Sequence, residues 1–276
     1  KYDVIFCYNL YYWHYKLFNL IKSKSKKTQL IPIILDEDNP ITDNWKSFSE
    51  KSNYSDGLVF LSYWGFKNYP FDKPCFHLDS GTSKWLGNNT LNLNKKPVLV
   101  YSGKYIEGYG GLSKLADILN SIDFDCEILL TGKAKKRLIH KYFSKNNKVK
   151  YLGFLNEESL NDVFNKADIF INYRPPESED NIMIFPSKIN HYLSYGKPVV
   201  SSFTAGLSPE YKNYLFYPKN EKVESYLNTI KNIVSFNKLE KKQNYNKIKI
   251  WFNKNKTWNV LTDNLFNWID QKFTLR

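Results

Sequence analysis

The chain has 276 residues, of which 42% are apolar and 17% aromatic, so it can bury the core of one large domain or of two modest ones. Its longest apolar stretches, residues 4–8 and 31–35, are strand-sized and far shorter than the roughly 20 residues of a membrane-spanning helix. Three cysteines and four histidines form no zinc spacing and no Cys-x-x-Cys pair, which favours a reducing cytoplasm and no structural metal.

The net charge of +13 is concentrated at the end of the chain. Residues 219–276 hold 12 basic and five acidic side chains, a net charge of +7. A basic tail fits an anionic membrane surface or nucleic acid. The plainer alternative is a lysine-rich composition with solvated helix faces. Because no predicted sheet face carries a basic stripe, we expect no nucleic acid partner, and we keep peripheral contact with an anionic membrane as an expectation.

The first 95 residues predict part of a Rossmann-like domain. Residues 4–8, 30–35 and 57–61 are apolar runs typical of buried strands, and large side chains recur at helical spacing over residues 11–21. A strand at the start of the sequence predicts no signal peptide. Residues 88–96 are the most polar interval between two apolar strands and predict an interdomain linker.

Strands and helices alternate regularly after this linker. Strands are predicted at 98–101, 126–130, 148–152, 169–172 and 198–201, with helices at 111–119, 135–143, 157–165 and 187–195. This alternation predicts an α/β fold with a doubly wound parallel sheet, which binds ligands at the carboxyl ends of its strands. The block from residue 221 predicts helices. One helix face there is expected to pack on a domain, and it carries Trp258, Leu261, Leu265 and Trp268.

A glycine-rich turn follows the strand at 98–101. Gly103 and Lys104 come directly after the strand, and Gly110 and Gly111 precede a helix. Such a turn brings backbone N–H groups and a positive helix end to one point, which is how a phosphate is held. The alternative is a purely steric role for these glycines.

The segment Asn-Tyr-Arg-Pro-Pro at residues 172–176 follows another strand. Its arginine, Arg174, is stiffened by two prolines at the carboxyl end of that strand, where the guanidinium can donate two parallel hydrogen bonds to a diphosphate. The alternative is a loop arginine that pairs with a nearby carboxylate. The candidates for that pairing are Glu177, Glu179 and Asp180.

The next helix begins with Pro186 and Ser187 and is closed by Gly196. Lys188 and His191 are three residues apart on its first turns. They therefore share one helix face, which is predicted to point toward the ligand crevice.

As a set, these motifs resemble the carboxyl-terminal domain of family-4 glycosyltransferases, which are retaining enzymes with the GT-B fold. The resemblance rests on the glycine-rich turn, Gly-Phe at 153–154, Arg-Pro-Pro at 174–176, and Phe-Pro-Ser-Lys through Gly-Lys-Pro-Val-Val at 185–200. It covers residues 97–210 well and 1–95 more loosely, and the first elements of a full amino-terminal domain have no counterpart. It implies an incomplete acceptor-side Rossmann-like domain at 1–95, a donor-binding one at 96–220, and carboxyl-terminal helices at 221–276 that pack across both.

The resemblance also implies which residues hold a nucleotide diphosphate sugar. They are Gly103, Lys104, Gly110, Gly111, Phe154, Arg174, Ser187, Lys188 and His191. Lys104 stands where the family usually has an arginine, and the lysine of the family's Lys-Gly phosphate loop is absent before the glycines at 110 and 111. Phe154 belongs to the segment whose backbone commonly meets the nucleotide base.

One departure from the family concerns its Glu-x7-Glu pair, whose carboxylates hold the donor sugar and ribose hydroxyls. The two positions are Met183 and His191 here. His191 can still exchange a hydrogen bond with a ribose hydroxyl, whereas Met183 cannot replace a carboxylate. The departure implies either altered donor recognition or impaired catalysis.

Three acidic residues, Asp36, Glu37 and Asp38, follow the strand at 30–35. The family often has a polar active-site residue here, so Asp36 and Asp38 are the candidate catalytic residues, which would orient the acceptor hydroxyl or stabilise an oxocarbenium-like transition state. Asp-x-Asp also mimics the manganese signature of GT-A enzymes, but the sheet pattern disfavours that fold. The alternative is a solvated acidic turn before Pro40.

The resemblance thus implies a bacterial enzyme of surface polysaccharide synthesis. It would move a sugar from a nucleotide diphosphate sugar to a glycan or lipid-linked glycan, with retention of configuration and with no metal or other cofactor. The expected location is the cytoplasm, extending to the inner face of the cell membrane. One alternative is a catalytically impaired GT-B subunit that binds a partner glycosyltransferase or glycan. Another is a GT-B epimerase of nucleotide sugars.

Overall fold

The computed structural model describes residues 2–35, 45–88 and 96–273. Two parallel β-sheets form the framework of these residues. The predicted catalytic residues Asp36 and Asp38 lie outside the described residues, as does most of the predicted linker at 88–96.

The first sheet has four parallel strands that follow chain order. They are β1 (Val4–Tyr8), β2 (Gln29–Ile34), β3 (Leu58–Phe60) and β4 (Cys75–His77). The helices between them are α1 (Tyr12–Lys24), α2 (Lys46–Ser52) and α3 (Tyr63–Asn68). The structure agrees with the predicted βαβ pattern for β1, α1, β2 and β3, whereas α2, α3 and β4 have no counterpart in the prediction.

The second sheet has five parallel strands. They are β5 (Val98–Ser102), β6 (Glu127–Thr131), β7 (Val149–Tyr151), β8 (Ile169–Asn172) and β9 (Val199–Ser201). The helices between them are α4 (Leu112–Asn120), α5 (Lys136–Phe143), α6 (Glu157–Lys166) and α7 (Lys188–Leu193). The strand order is β7-β6-β5-β8-β9, so the sheet grows in opposite directions from β5 and is doubly wound as predicted. The crevice between the carboxyl ends of β5 and β8 is the switch point where such sheets bind ligands.

Three further helices end the chain. They are α8 (Val223–Val234), α9 (Lys238–Asn255) and α10 (Trp258–Lys272). Helix α8 packs with α4 and α5 on one face of the second sheet, and α9 packs with α6 and α7 on the other face. Helix α10 instead packs on the first sheet.

The buried face of α10 matches the predicted face in three of its four residues. Leu261, Leu265 and Trp268 pack against Ile31 and Val59 of the first sheet. The fourth residue, Trp258, is 43% exposed because it stands at the first turn of the helix.

The carboxyl ends of the two sheets face each other. Ser62, just after β3, donates its hydroxyl hydrogen to the carbonyl oxygen of Ile182 at 2.6 Å. The backbone N–H of Tyr63 donates to the carbonyl oxygen of Gly206 at 2.9 Å. Because the segments after β8 and β9 reach the end of β3 in this way, the crevice of the second sheet lies at the junction of the two sheets.

A buried lysine joins α9 and α10 to both sheets. Lys256 is 3% exposed, and its ammonium forms ion pairs with Asp79, which follows β4, and with Glu210, which follows β9. No helix in the described parts of the chain is long and apolar enough to cross a membrane.

Candidate functional site

Glycines at the ends of β5, β6 and β7 form a floor beside the crevice, on the side of β5 that is away from β8. The N–H of Gly103 donates to Thr131 O at 3.0 Å, and the N–H of Gly132 donates to Gly153 O at 2.8 Å. Gly132 has a φ of +116°, and a Cβ there would lie 2.0 Å from the carbonyl oxygen of Gly103. Only glycine therefore allows the strand ends to approach this closely.

Helix α7 places Lys188 above this floor. The Tyr192 hydroxyl fixes the helix to the end of β5, because it accepts from Ser102 N at 2.8 Å and donates to Ser102 O at 3.0 Å. The Lys188 ammonium lies 4.4 Å from the centroid of the Tyr101 ring. A Cβ at Gly103 would lie 2.7 Å from the same Nζ, so the glycine leaves room for the amine.

The surroundings of Lys188 disfavour its positive charge. Burial, assisted by the nearby Arg174 guanidinium, lowers the pKa of its ammonium to about 7. A cation so placed gains more from a bound anion than a solvated lysine does, because less water competes for its charge.

Arg174 follows β8 and is held by neutral partners. Its Nη1 donates to Asn181 Oδ1 at 2.8 Å, and its backbone N–H donates to the Ser202 hydroxyl at 3.0 Å. That hydroxyl donates back to Arg174 O at 2.6 Å. Asn181 is itself fixed, because its Nδ2 donates to Pro175 O at 2.9 Å.

Two cationic side chains, Arg174 and Lys188, thus lie near each other at the crevice. None of the ion pairs formed by the described residues involves Arg174 or Lys188. The alternative of a loop arginine paired with an acidic neighbour therefore has no support among these pairs. The arrangement is suited to an anion that carries more than one negative charge.

The second pair of predicted glycines borders the same loop. Gly110 ends a short 3₁₀ turn, and Gly111 has a φ of +68° immediately before α4. A Cβ at Gly111 would lie 2.5 Å from the Tyr173 ring and 2.8 Å from Pro175. The glycine therefore lets the start of α4 pack directly against the segment that carries Arg174.

Three other predicted donor residues, Phe154, Lys104 and Ser187, are exposed. Phe154, which follows β7, is 72% exposed, and the Lys133 ammonium lies 5.2 Å from its ring centroid. Lys104 and Ser187 are also exposed, and the Ser187 side chain makes no capping hydrogen bond. Among the predicted residues, Lys188 lies next to Gly103 and within electrostatic range of Arg174.

His191 lies beside α6 rather than beside the Tyr101 ring. Its ring centroid is 5.0 Å from that of Phe164 and 5.7 Å from that of Tyr195. Burial lowers the pKa of this imidazole, and the Glu157 carboxylate opposes that shift. A neutral imidazole can both accept and donate a hydrogen bond, as the predicted ribose contact requires.

Met183 anchors the two sheets to each other. Its side chain is 2% exposed and belongs to the apolar cluster of the first sheet with Phe60. A Cβ on Gly65 of α3 would lie 3.0 Å from its sulfur. The residue at this family glutamate position therefore has a packing role.

Several residues of the site were not singled out from the sequence. They are Tyr101, Lys133, Asn181 and Ser202. Tyr101 lies at the end of a strand and has the pattern of a core residue. Lys133 and Ser202 lie in loops and have partners more than 20 residues away along the chain. Asn181 ends a short 3₁₀ turn and is close to Arg174 in sequence, but an isolated asparagine does not indicate that contact. Of these four residues, Lys133 alone could have been predicted from the local sequence, because it follows Gly132 at a strand end in the same way that Lys104 follows Gly103.

Comparison with known proteins decides the family. The family model for glycosyl transferases group 1 matches residues 96–235, just over half of the chain. The chain belongs to this family. It is therefore a transferase, and the match covers all the predicted donor-binding residues. A search of the curated proteins gives no match.

Solved glycosyltransferase structures share the fold. A glycosyltransferase from Rickettsia africae superposes with a TM-score of 0.73 at 15% identity, over 97% of this chain and 76% of that one. The Anabaena protein HepE in complex with UDP and glucose gives 0.73 at 13%, over 98% and 78%. Sucrose-phosphate synthase from Thermosynechococcus elongatus gives 0.72 at 14%, over 100% and 75%. The glycosyltransferase has the α/β, GT-B fold with two Rossmann-like parallel sheets, as expected from the resemblance.

The described residues contain no group of three or more His, Cys, Asp or Glu side chains that could hold a metal ion. The acidic residues at 36–38 lie outside this part of the chain.

Proposed function

We propose that this glycosyltransferase transfers a sugar from a nucleotide diphosphate sugar to a glycan or lipid-linked glycan, with retention of configuration. The observation that carries the proposal is the pair of cations, Arg174 and Lys188, above a glycine floor at the switch point. A diphosphate carries the negative charge that would balance these two cations. The similar Anabaena protein was solved with UDP and glucose, which supports the same class of donor here.

The chemistry follows from where charge develops. As the bond between the anomeric carbon and the diphosphate oxygen breaks, negative charge collects on the departing diphosphate. The Lys188 ammonium and the Arg174 guanidinium are placed to stabilise that charge, and they need no large rearrangement because Asn181 and Ser202 already hold Arg174. Charge stabilisation by these two groups supports a reaction that needs no metal or other cofactor.

The remaining roles belong to the same proposal. The donor would bind to the domain at 96–220 and the acceptor to the domain at 1–95, where Asp36 or Asp38 would orient the acceptor hydroxyl. His191 would contact the ribose and Phe154 the base. Lipid-linked acceptors and the basic tail support a bacterial enzyme of polysaccharide synthesis that works in the cytoplasm and contacts the inner face of the membrane.

A thermal unfolding assay tests the donor class. Nucleoside diphosphates and their sugars at 100-fold over the Kd should stabilise the protein by about 2.7 kcal/mol, which raises the Tm by several degrees. Nucleoside monophosphates and free sugars should raise the Tm much less. The rise should fall sharply in Arg174→Met, whereas Arg137→Met, which removes an exposed arginine on α5, should keep it.

Two results would count against the proposal. If no member of a panel of uridine, guanosine and adenosine diphosphates raised the Tm, the donor class would be wrong. If the Arg174 and Arg137 variants responded alike, the cation pair would not be the diphosphate site. For the reaction itself, release of nucleoside diphosphate should depend on a glycan acceptor and should persist in excess chelator.

A further inference from the structure

The outer face of α9 combines exposed apolar side chains with lysines. Leu239 and Ile250 are 63% and 71% exposed. They are eleven residues apart, about three helical turns, so they lie on one line along the helix. The opposite face is buried against the second sheet through Ile248 and Phe252. The apolar line therefore points directly away from the protein.

Five exposed lysines flank this line on both sides. Lys238, Lys242 and Lys249 lie on one side of it, and Lys247 and Lys254 lie on the other. None of the ion pairs among the described residues involves them.

The helix has one acidic residue, and it is engaged in capping. The Glu240 carboxylate accepts from the backbone N–H of Asn237 at 2.8 Å, at the start of the helix. The outer face of α9 is consequently a positive surface with little internal compensation.

A groove of about 450 Å³ opens beside this face. Its floor is the Trp251 indole stacked on Tyr214 at a centroid distance of 4.0 Å. Lys247 and Lys254 are on its wall together with Ile250. Two ammonium groups next to an apolar side chain match a phosphate headgroup next to an acyl chain.

We propose that the outer face of α9 lies on an anionic lipid bilayer. Leu239 and Ile250 would enter the boundary of headgroups and acyl chains, and the long lysine side chains would extend sideways to lipid phosphates. The face favours a bilayer over nucleic acid because its exposed large side chains are aliphatic, and the neighbouring Trp251 ring is buried and already stacked on Tyr214. With only two apolar side chains, binding depends on anionic lipid and weakens with salt.

This proposal assigns the predicted membrane contact of the basic tail to one surface, the outer face of α9. This inference rests on the proposed function only for the purpose of membrane binding, because an enzyme held at the bilayer meets lipid-linked acceptors. Bilayer binding itself can be measured without any sugar or nucleotide, so the two proposals fail separately.

The test is co-sedimentation of the protein with vesicles. It should bind vesicles of phosphatidylcholine mixed with phosphatidylglycerol and not vesicles of phosphatidylcholine alone. Lys242→Glu/Lys249→Glu should lower the partition coefficient by at least about 25-fold, because each lysine near the lipid phosphates strengthens binding by about fivefold. Leu239→Ser/Ile250→Ser should lower it with no change in charge.

A matched control separates this face from net charge. Lys136→Glu/Lys145→Glu makes the same charge change at exposed lysines of α5 and the turn after it, on the opposite face of the second sheet. This variant should keep most of the binding. A thermal unfolding curve for each variant, together with nucleoside diphosphate binding that stays unchanged, shows that the fold and the donor site are intact.

Four outcomes would overturn the inference. They are equal binding to neutral vesicles, equal losses in the test and control lysine variants, no effect of the leucine and isoleucine substitutions, and no vesicle binding at low salt. Two further readouts identify the other possible occupants of the face. Light scattering that shows a dimer dissociated by the Ile250 substitution would assign the face to a second copy, and duplex RNA that binds through Lys242 and Lys249 would assign it to nucleic acid.

Discussion

Replacing Lys188 by methionine removes one cation from the crevice and keeps a flexible side chain of similar length. In the proposed complex the ammonium donates a charge-assisted hydrogen bond to the diphosphate, which is worth about 2 kcal/mol. At pH 6 the amine is already protonated in the free protein, because its pKa is about 7. The substitution should therefore raise the Kd for a nucleoside diphosphate by about 30-fold at that pH.

Because the pKa of Lys188 is about 7, the loss of diphosphate affinity in the Lys188→Met variant depends on pH. Above pH 7 the free protein holds a neutral Lys188, so the diphosphate must bind together with a proton. That protonation costs about 1.4 kcal/mol for each pH unit above 7. Wild-type affinity should consequently be full below pH 7 and fall above it, and the deficit of the variant should shrink to about 3-fold at pH 8.

Isothermal titration calorimetry measures both effects. Titrations in buffers of different ionisation enthalpy should show that the wild-type protein takes up about 0.7 of a proton at pH 8 that the Lys188→Met variant does not. The ratio of the two affinities cancels the titration of the nucleotide itself. Arg137→Met serves as the control for loss of a cation. A deficit that is equally large at pH 6 and pH 8, or no deficit at all, would refute the assigned contact.

Three further substitutions have defined outcomes. Gly111→Ala should weaken diphosphate binding and lower stability by about 1 kcal/mol or more, because the backbone is left-handed there and the new Cβ would push on Tyr173. Met183→Glu should lower the free energy of unfolding by about 3 kcal/mol or more and not raise activity, because it buries a carboxylate in an apolar cluster. Lys256→Met should destabilise by about 3 kcal/mol or more, since it leaves the buried Asp79 without its cation.

Urea unfolding followed by tryptophan fluorescence measures all three stabilities. Gly108→Ala is the matched control for Gly111→Ala, because it also has a positive φ but a Cβ there meets no atom within 4 Å. If the two glycine variants bound diphosphate equally well, contact with Tyr173 would not explain the effect. A Met183→Glu variant of unchanged stability would show that the side chain is not held in the apolar cluster. Lys256→Met combined with Asp79→Asn should recover part of the loss.

The donor half of the fold was predictable because its pattern is regular. Strands β5, β6, β8 and β9 are largely apolar runs, and the predicted bounds agree with Val98–Ser102 and Ile169–Asn172 to within one residue. Strand β7 alternates instead, with Lys150 exposed between Val149 and Tyr151. The first sheet was harder to predict. Strand β4 (Cys75–His77) has three residues, too few to show an alternation, and α2 (Lys46–Ser52) is short and buries only Phe48 and Ser52.

The site was predictable where it depends on local position. An arginine after a strand and a lysine at a helix start both reach the carboxyl edge of a parallel sheet, whatever the rest of the chain does. The supports of those two cations depend on tertiary contacts instead. Tyr101 lies 87 residues from Lys188, and Ser202 lies 28 residues from Arg174, so no local pattern could pair them. The ribose contact of His191 and the catalytic roles of Asp36 and Asp38 stay predictions.

Met183 changes what recognition of the donor sugar requires. In the family resemblance this position carries a carboxylate for the sugar, but here the side chain is buried among apolar residues of the first sheet. The neighbouring carbonyl of Ile182 accepts a hydrogen bond from Ser62, so the whole segment serves to hold the two sheets together. Sugar hydroxyls must therefore be recognised by other groups. In the sequence, Asp36 and Asp38 are the predicted polar candidates on the acceptor side. Recognition of the sugar would then be separate from the proposed binding of the diphosphate by Arg174 and Lys188, because Met183 takes part only in packing.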